Sequence, residues 1–141
     1  MLEVWTDGSG TVRGHGGGWA YLLVSNGKLV GGDAGSAPNA TNNTMELAAA
    51  INGLAAAHEL TGVWERPDAP RTEVVLVSDS EYVLGLAAGD FQPNANVELA
   101  GRLRRLAQLT GAGFRHVDGH SGAEFNELCD LWAKLKRKQA K

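Results

Sequence analysis

The first quarter of the chain alternates apolar and polar positions, with turn-forming residues between the alternating runs. Such alternation is typical of β-strands with one face in a core, and Asn26-Gly27 is a strong signal for a two-residue hairpin turn. The pattern predicts three strands in an antiparallel meander, over residues 2–6, 19–24 and 28–33. The first strand is expected to run into a glycine-rich loop that begins at Asp7.

A helical period replaces this alternation after residue 43, and it predicts a helix over residues 44–60. The segment from Asn43 to Glu46 resembles a capping box, with Asn43 as the cap and Glu46 as the third helical residue. The buried stripe of this helix is predicted to consist of Leu47, Ile51, Leu54 and His58.

The second half of the chain mixes a strand buried on both faces with three further helices. The strands are predicted at 73–78 and 114–117, and the first two helices at 80–88 and 96–109. A capping box at Ser121-Gly122-Ala123-Glu124 starts the final helix. The predicted apolar sets of the last two helices are Val97, Leu99, Leu103, Leu106 and Leu109, and then Phe125, Leu128, Cys129, Trp132 and Leu135.

The order of elements predicts an α/β fold with a mixed five-stranded sheet. Three antiparallel strands come first, parallel strands follow, and helices cover both faces. A length of 141 residues fits one domain, so we expect residues 1–141 to form a single domain with a short basic tail from about residue 134.

Composition and charge restrict the class of protein only loosely. The net charge of −3 does not indicate a nucleic-acid partner, although basic residues cluster in two places. Each cluster has an ordinary explanation as a solvated helix face or a frayed terminus. The clusters are Arg102, Arg104 and Arg105, and then Lys134, Lys136, Arg137, Lys138 and Lys141.

The single cysteine, Cys129, rules out an internal disulfide and fits a reducing compartment. No signal peptide and no membrane-spanning run are recognisable. We therefore expect a cytoplasmic protein without a membrane partner. We also expect a monomer, although the sequence itself does not reveal the oligomeric state.

Four carboxylates are the candidates for chemistry. Asp7 and Asp79 follow predicted strands, and sites in α/β sheets form outside the carboxyl ends of strands. Glu46 comes from the first turn of a helix, and Asp130 lies on the final helix away from its apolar stripe. Taken singly, each has a structural explanation: a turn residue, a helix cap or a surface acid. If the two strands are parallel neighbours, Asp7 and Asp79 lie side by side. Like charges that close need a cation between them, or one must stay protonated.

Five motifs in order resemble those of type 1 ribonuclease H, and their spacing and the predicted elements match that family along essentially the whole chain. The motifs are Asp7-Gly8-Ser9, Thr41-Asn42-Asn43-Thr44-Met45-Glu46-Leu47, Ser78-Asp79-Ser80-Glu81-Tyr82-Val83, Gly119-His120-Ser121-Gly122 and Asn126-Glu127-Leu128-Cys129-Asp130.

The resemblance implies a ribonuclease H-like fold and an endonuclease that hydrolyses the RNA strand of RNA–DNA hybrids, leaving 3′-OH and 5′-phosphate ends. It also implies two Mg²⁺ ions, with Mn²⁺ as a substitute, held by carboxylate oxygens. By the same resemblance Asp7 bridges both ions, Glu46 and Asp79 hold one of them, and Asp130 completes the second site. His120 matches the family's loop histidine and is expected to move a proton or assist product release.

Substrate contacts are expected around these acids. The backbone of Gly8 and Ser9 and the side chains of Asn42 and Asn43 are candidates for reading 2′-hydroxyls in the minor groove. The side-chain hydroxyls of Thr41 and Ser80 are candidates for contacts with a DNA phosphate.

Three features depart from the family pattern. Glu81 replaces a common Gln and adds negative charge beside the proposed metals, and Arg13 replaces a common Asn and can supply a phosphate contact. The segment 84–96 lacks the basic protrusion of many bacterial members. Hybrid affinity is then expected to depend on the two basic clusters. We expect no separate N-terminal hybrid-binding module, because the chain starts at the first strand.

Other enzymes of the same fold remain as alternatives. A proofreading exonuclease needs a second acid two residues after Asp7, where Ser9 stands, and the related ATPases and sugar kinases are far longer. A ribonuclease H domain of a reverse transcriptase stays open if the chain is a fragment. A non-catalytic nucleic-acid-binding module is expected to lose a metal carboxylate, and all four are present.

Overall fold

The computed structural model describes residues 1–11, 15–64, 68, 71–119 and 124–140. Within these ranges the chain forms five strands and four helices. In chain order they are β1 (Leu2–Ser9), β2 (Gly17–Ser25), β3 (Lys28–Ala37), α1 (Asn42–Trp64), β4 (Val74–Ser78), α2 (Glu81–Ala88), α3 (Val97–Thr110), β5 (Gly113–His116) and α4 (Glu124–Gln139). None of the helices in the described ranges is both long and apolar enough to cross a lipid bilayer.

The five strands form one mixed sheet in the order β3-β2-β1-β4-β5. The β1–β2 and β2–β3 pairs are antiparallel, whereas β1–β4 and β4–β5 are parallel. This topology confirms the predicted sheet. The parallel ladder between β1 and β4 ends where Thr6 faces Ser78, so the next residue of each strand emerges at the same edge.

Helices cover both faces of the sheet, as predicted. Because side chains of a strand alternate between faces, neighbours on β1 belong to different cores. Val4 packs with Leu47 of α1 and Leu103 of α3 in the larger core. Trp5 packs with Cys129 of α4 in the smaller core on the opposite face.

The first strand continues further than predicted. β1 keeps pairing with β2 through Asp7, Gly8 and Ser9, so the predicted glycine-rich loop begins only after Ser9. The glycine is required by packing: a Cβ on Gly8 would lie 2.3 Å from the backbone nitrogen of Glu46. Gly8 therefore lets the start of α1 come directly against β1, which the local sequence pattern did not reveal.

The cap of α1 also differs from the prediction. Thr44 donates its backbone N–H to Thr41 Oγ1 at 3.2 Å, and Thr41 donates its backbone N–H to Thr44 Oγ1 at 2.9 Å. This reciprocal pair is a capping box that begins two residues before the predicted cap, Asn43. Glu46 consequently takes no part in the cap.

The predicted apolar stripes were partly wrong. His58 is exposed, and the contact line of α1 passes to Ala57 and Thr61 instead. In α3 the buried side chains include Ala100 and Leu103. Four further errors share one cause, namely that small residues face the core and larger ones face solvent. They concern Val97, Leu109, Leu128 and Leu135. An imidazole in water keeps its hydration, which favours the observed orientation of His58.

Both ends of α2 lie within one residue of their predicted positions. Ser80 caps α2, because its Oγ accepts from the backbone N–H of Val83, and Gly89 ends the helix at a φ of 78°. The capping box before α4 involves residues 121–123, outside the described residues. The predicted basic tail is helical from Lys134 to Gln139 and so belongs to α4.

α4 lies very close to β2 at Gly18. A Cβ on Gly18 would lie 2.1 Å from the carbonyl oxygen of Ala133 and 2.5 Å from the backbone nitrogen of Arg137. Because both neighbours are helix backbone, α4 would have to move as a body to accommodate a side chain. The small residue at this position therefore fixes the height of α4 above the sheet.

We expect Gly18→Ala to lower the free energy of unfolding by about 2–3 kcal/mol, because overpacking forces a backbone shift. Gly31→Ala is the matched control, since the nearest atoms to its Cβ belong to the Leu23 side chain, the closest at 3.4 Å. Urea unfolding followed by circular dichroism measures both. Equal stability of the two variants would contradict the tight contact between α4 and β2.

Candidate active site

Three acidic side chains converge at the carboxyl edge of the parallel strands. Asp7 lies near the end of β1, Asp79 follows β4, and Glu46 comes from the second turn of α1. The start of α1 can lie against β1 because Gly8 has no side chain. One carboxylate oxygen from each lies within 4.8 Å of the others. Asp7 is 3% exposed and Glu46 is 6% exposed, so two of the three acids are taken out of water.

The hydrogen bonds of these acids leave oxygens unused. The backbone N–H of Gly8 donates to Asp7 Oδ1 at 2.9 Å. Asp7 Oδ2 and Glu46 Oε2 are buried and have no hydrogen-bond partner among the described residues. Buried polar atoms are nearly always paired, so these two oxygens call for a proton or a cation.

Burial raises the pKa of Asp7 to about 7, and the nearby charges of Asp79 and Asp130 add to the effect. Burial also raises the pKa of Glu46 to about 10, again with a contribution from Asp7 and Asp79. A divalent cation favours the charged forms and would displace these protons. Three carboxylate oxygens around one point are also the ligand type that Mg²⁺ and Mn²⁺ prefer, so the residues fit the predicted metals.

The fourth predicted acid, Asp130, is adjacent to this group without being part of it. Its Oδ2 lies 2.9 Å from Nζ of Lys134, one turn further along α4. Its negative charge still helps to raise the pKa of Asp7. The structure thus brings together Asp7, Glu46 and Asp79, with Asp130 beside them and already paired with a cation.

The predicted substrate-binding residues of β1 are buried. Gly8 faces α1, and Ser9 accepts a hydrogen bond from Nη1 of Arg137 at 2.9 Å. Asn42 and Asn43 are exposed at the start of α1, near Glu46. The amide oxygen of Asn42 accepts from the backbone N–H of Gly10 at 3.3 Å, so it is oriented by the first residue after β1.

The hydroxyl groups proposed for phosphate contacts have structural roles as well. Thr41 belongs to the capping box of α1, and Ser80 caps α2. Glu81 is exposed at the first position of α2. The remaining predicted residues, His120 and Arg13, lie outside the described residues.

Three contacts at the site were not predicted. His116 Nε2 lies 3.2 Å from the carbonyl oxygen of Asp79 and donates to it, because a carbonyl only accepts. Arg137 contacts Ser9, and Lys134 contacts Asp130. The spacing of Lys134 four residues after Asp130 was a usable signal for an ion pair on one helix face. The other two contacts join distant segments and leave no local signal.

A family model described as RNase H matches residues 1–138. The chain belongs to the RNase H family. It is 36% identical to a ribonuclease H of Gluconobacter oxydans, over 98% of this chain and 93% of that one. It is 34% identical to a ribonuclease H of Treponema pallidum, over 94% and 88% of the two chains. These matches confirm the predicted family and class of enzyme.

Solved RNase H structures share the fold. The RNase H1 of the archaeon Halobacterium salinarum superposes with a TM-score of 0.79 at 23% identity, covering 99% of this chain and 98% of that one. LC11-RNase H1 in complex with an RNA/DNA hybrid gives a TM-score of 0.73 at 17% identity, with coverages of 96% and 98%. The ribonuclease H-like fold predicted from the sequence is thereby confirmed.

Proposed function

We propose that this member of the RNase H family hydrolyses the RNA strand of RNA–DNA hybrids and leaves 3′-OH and 5′-phosphate ends. The observation that carries the proposal is the buried group of Asp7, Glu46 and Asp79, with two carboxylate oxygens that lack a partner among the described residues. Family membership and the hybrid bound to LC11-RNase H1 support the choice of substrate.

The proposed cofactors are two Mg²⁺ ions, for which Mn²⁺ can substitute. Asp7 would be shared by both, Glu46 and Asp79 would hold one, and Asp130 would complete the other. Bound there, the ions supply an activated water and charge stabilisation for the leaving 3′ oxygen.

The chain's own residues orient these acids. The N–H of Gly8 fixes one oxygen of Asp7, and an Asp7 oxygen lies within 4.8 Å of an oxygen from each of Glu46 and Asp79. His116 holds the backbone of Asp79 from β5. Lys134 holds the Asp130 carboxylate in place beside Asp7 through their ion pair. His120 remains the proposed proton carrier.

The exposed amides of Asn42 and Asn43 are the proposed minor-groove contacts. Thr41 and Ser80 are proposed to contact a DNA phosphate through hydroxyls that the caps already orient. Backbone contacts at Gly8 and Ser9, a phosphate contact of Arg13 and an effect of Glu81 on the RNA strand complete the proposal.

The basic clusters are proposed to hold the hybrid backbone, in place of a protrusion. Arg104 donates to the carbonyl oxygen of Ala87 and so has a structural role. Arg102 and Arg105 are exposed and line a groove of about 380 Å³ between α1 and α3. In α4, Lys138 is exposed as well. These three cations are the best placed for phosphate contacts.

The match over residues 1–138 supports a single catalytic domain. We propose that it acts as a monomer at the nanomolar concentrations of a cleavage assay. The cytoplasmic location stays a prediction from the sequence.

The test compares cleavage of an RNA–DNA hybrid, double-stranded RNA and double-stranded DNA of one sequence, with Mg²⁺, with Mn²⁺ and with chelator. We expect cutting of the hybrid alone, dependent on metal, and RNA products that a ligase joins only through a 5′-phosphate. Cutting that persists in chelator, or that spares the hybrid, would overturn the proposal.

A further inference from the structure

The outer face of α4 carries a stripe of exposed leucines. Leu128, Leu131 and Leu135 are 41%, 56% and 48% exposed. Their spacing of three and four residues places them on one side of the helix. The buried residues Cys129 and Ala133 lie on the side that faces the sheet. Three large apolar side chains aligned in water are typical of a surface that binds another protein.

Opposite charges lie at the two ends of this leucine stripe. Glu124 precedes Leu128 by four residues and Lys138 follows Leu135 by three, so both continue the same side of α4. Both are exposed, and Glu127 adds a second exposed acid in the first turn. The side is therefore acidic at its start, apolar in its middle and basic at its end.

This charge order selects the kind of partner. An antiparallel copy of the same helix, related by a twofold axis near Leu131, places the acidic end of each helix beside the basic end of the other. A parallel copy would instead place acid beside acid at one end of the contact and base beside base at the other. The leucines then meet in the centre of the interface, where apolar burial contributes most.

We propose that two copies of this chain associate through the leucine stripe of α4 in an antiparallel pair. One helix face is smaller than the roughly 1,200 Å² that stable interfaces bury, so the association is weak and reversible. We expect it at concentrations on the order of 100 µM, between the micromolar and millimolar ranges of dissociation constant. The enzyme then stays monomeric in a dilute assay.

Sedimentation equilibrium between about 5 and 500 µM tests the proposal, and the average mass is expected to rise toward twice the monomer mass. Leu131→Glu should hold the mass at the monomer value throughout, with an unchanged melting temperature because Leu131 is exposed. Leu29→Glu, at an equally exposed leucine on β3, is the control and should associate like the parent. A parent that stays monomeric, or a Leu131→Glu variant that still associates, overturns the proposal.

A charge exchange tests the antiparallel arrangement. Glu124→Lys and Lys138→Glu should each weaken self-association, because each homodimer then contains only like-charged end pairs. An equimolar mixture of the two variants should recover it, since both end pairs in the mixed dimer become opposite in charge. No gain in mass on mixing contradicts the antiparallel contact. Leu131-dependent binding of monomeric protein to phosphatidylcholine vesicles would assign the stripe to lipid and contradict it too.

Discussion

Asp7→Asn should lower the rate of hybrid cleavage by at least about 1,000-fold, which corresponds to about 4 kcal/mol of transition-state stabilisation. Asp7 is the acid that the others surround: Glu46 and Asp79 reach it within 4.8 Å, and the charge of Asp130 acts on it. Asparagine keeps the size of the side chain and the acceptor for the Gly8 N–H, but it removes the charge that would hold two cations. Single-turnover cleavage at saturating Mg²⁺ measures the effect directly.

The matched control is Asp90→Asn, at an exposed acid after α2. This variant should cut within about twofold of the parent, because an exposed charge contributes little. Circular dichroism and urea unfolding check that both variants fold. If Asp7→Asn, correctly folded, cuts within tenfold of the parent, the proposed metal-bridging role of Asp7 is wrong.

The part of the site that the sequence predicted is the part fixed by strand order. Asp7 and Asp79 follow strands, and parallel neighbours deliver their next residues to one edge of the sheet. Strand pairing confirmed that arrangement through the last rung at Thr6 and Ser78. Glu46 was placed near them only through the family motif, because nothing local shows that Gly8 lets α1 approach β1.

The wrong predictions have a common physical origin. A helical period identifies a candidate stripe, but the neighbours in space decide which members are buried. His58 continues the period of α1 and is exposed, whereas Ala57 beside it is buried. The cap failed for a related reason, since Asn43 and Thr41 both suit a cap and only the path of the chain before α1 selects Thr41.

Contacts between distant segments of the chain could not be predicted from the sequence. Arg137 and Ser9 are 128 residues apart in sequence, and their hydrogen bond depends on α4 lying against β2 at Gly18. The pairing of Asp130 with Lys134 is different, because it lies within one helix turn. It also changes the picture of the fourth acid, which has its own cation before any metal binds.

The buried acids make the metal-free protein sensitive to pH. The folded state raises the pKa of Asp7 from its ordinary value of 3.8 to about 7, so it binds a proton more tightly than the unfolded chain does. This contribution to stability is fully present below pH 4 and is lost as the pH rises through about 7. The two pKa values differ by the equivalent of about 4 kcal/mol. Glu46, with its pKa raised to about 10, extends the loss to higher pH.

Asp7→Asn should therefore stabilise the metal-free protein at alkaline pH while abolishing its activity. In chelator, its free energy of unfolding should match that of the parent near pH 4 and exceed it by several kcal/mol, on the order of the pKa difference, at pH 8.5. Added Mg²⁺ should stabilise the parent at pH 8.5 and shrink the gap, because cation binding at the acids replaces the lost protons. Asp90→Asn, which removes an exposed acid after α2, is the control variant. The difference in free energy of unfolding between Asp7→Asn and the parent should therefore grow from pH 4 to pH 8.5. A difference that does not change with pH, or that is largest at pH 4, would contradict the raised pKa of Asp7.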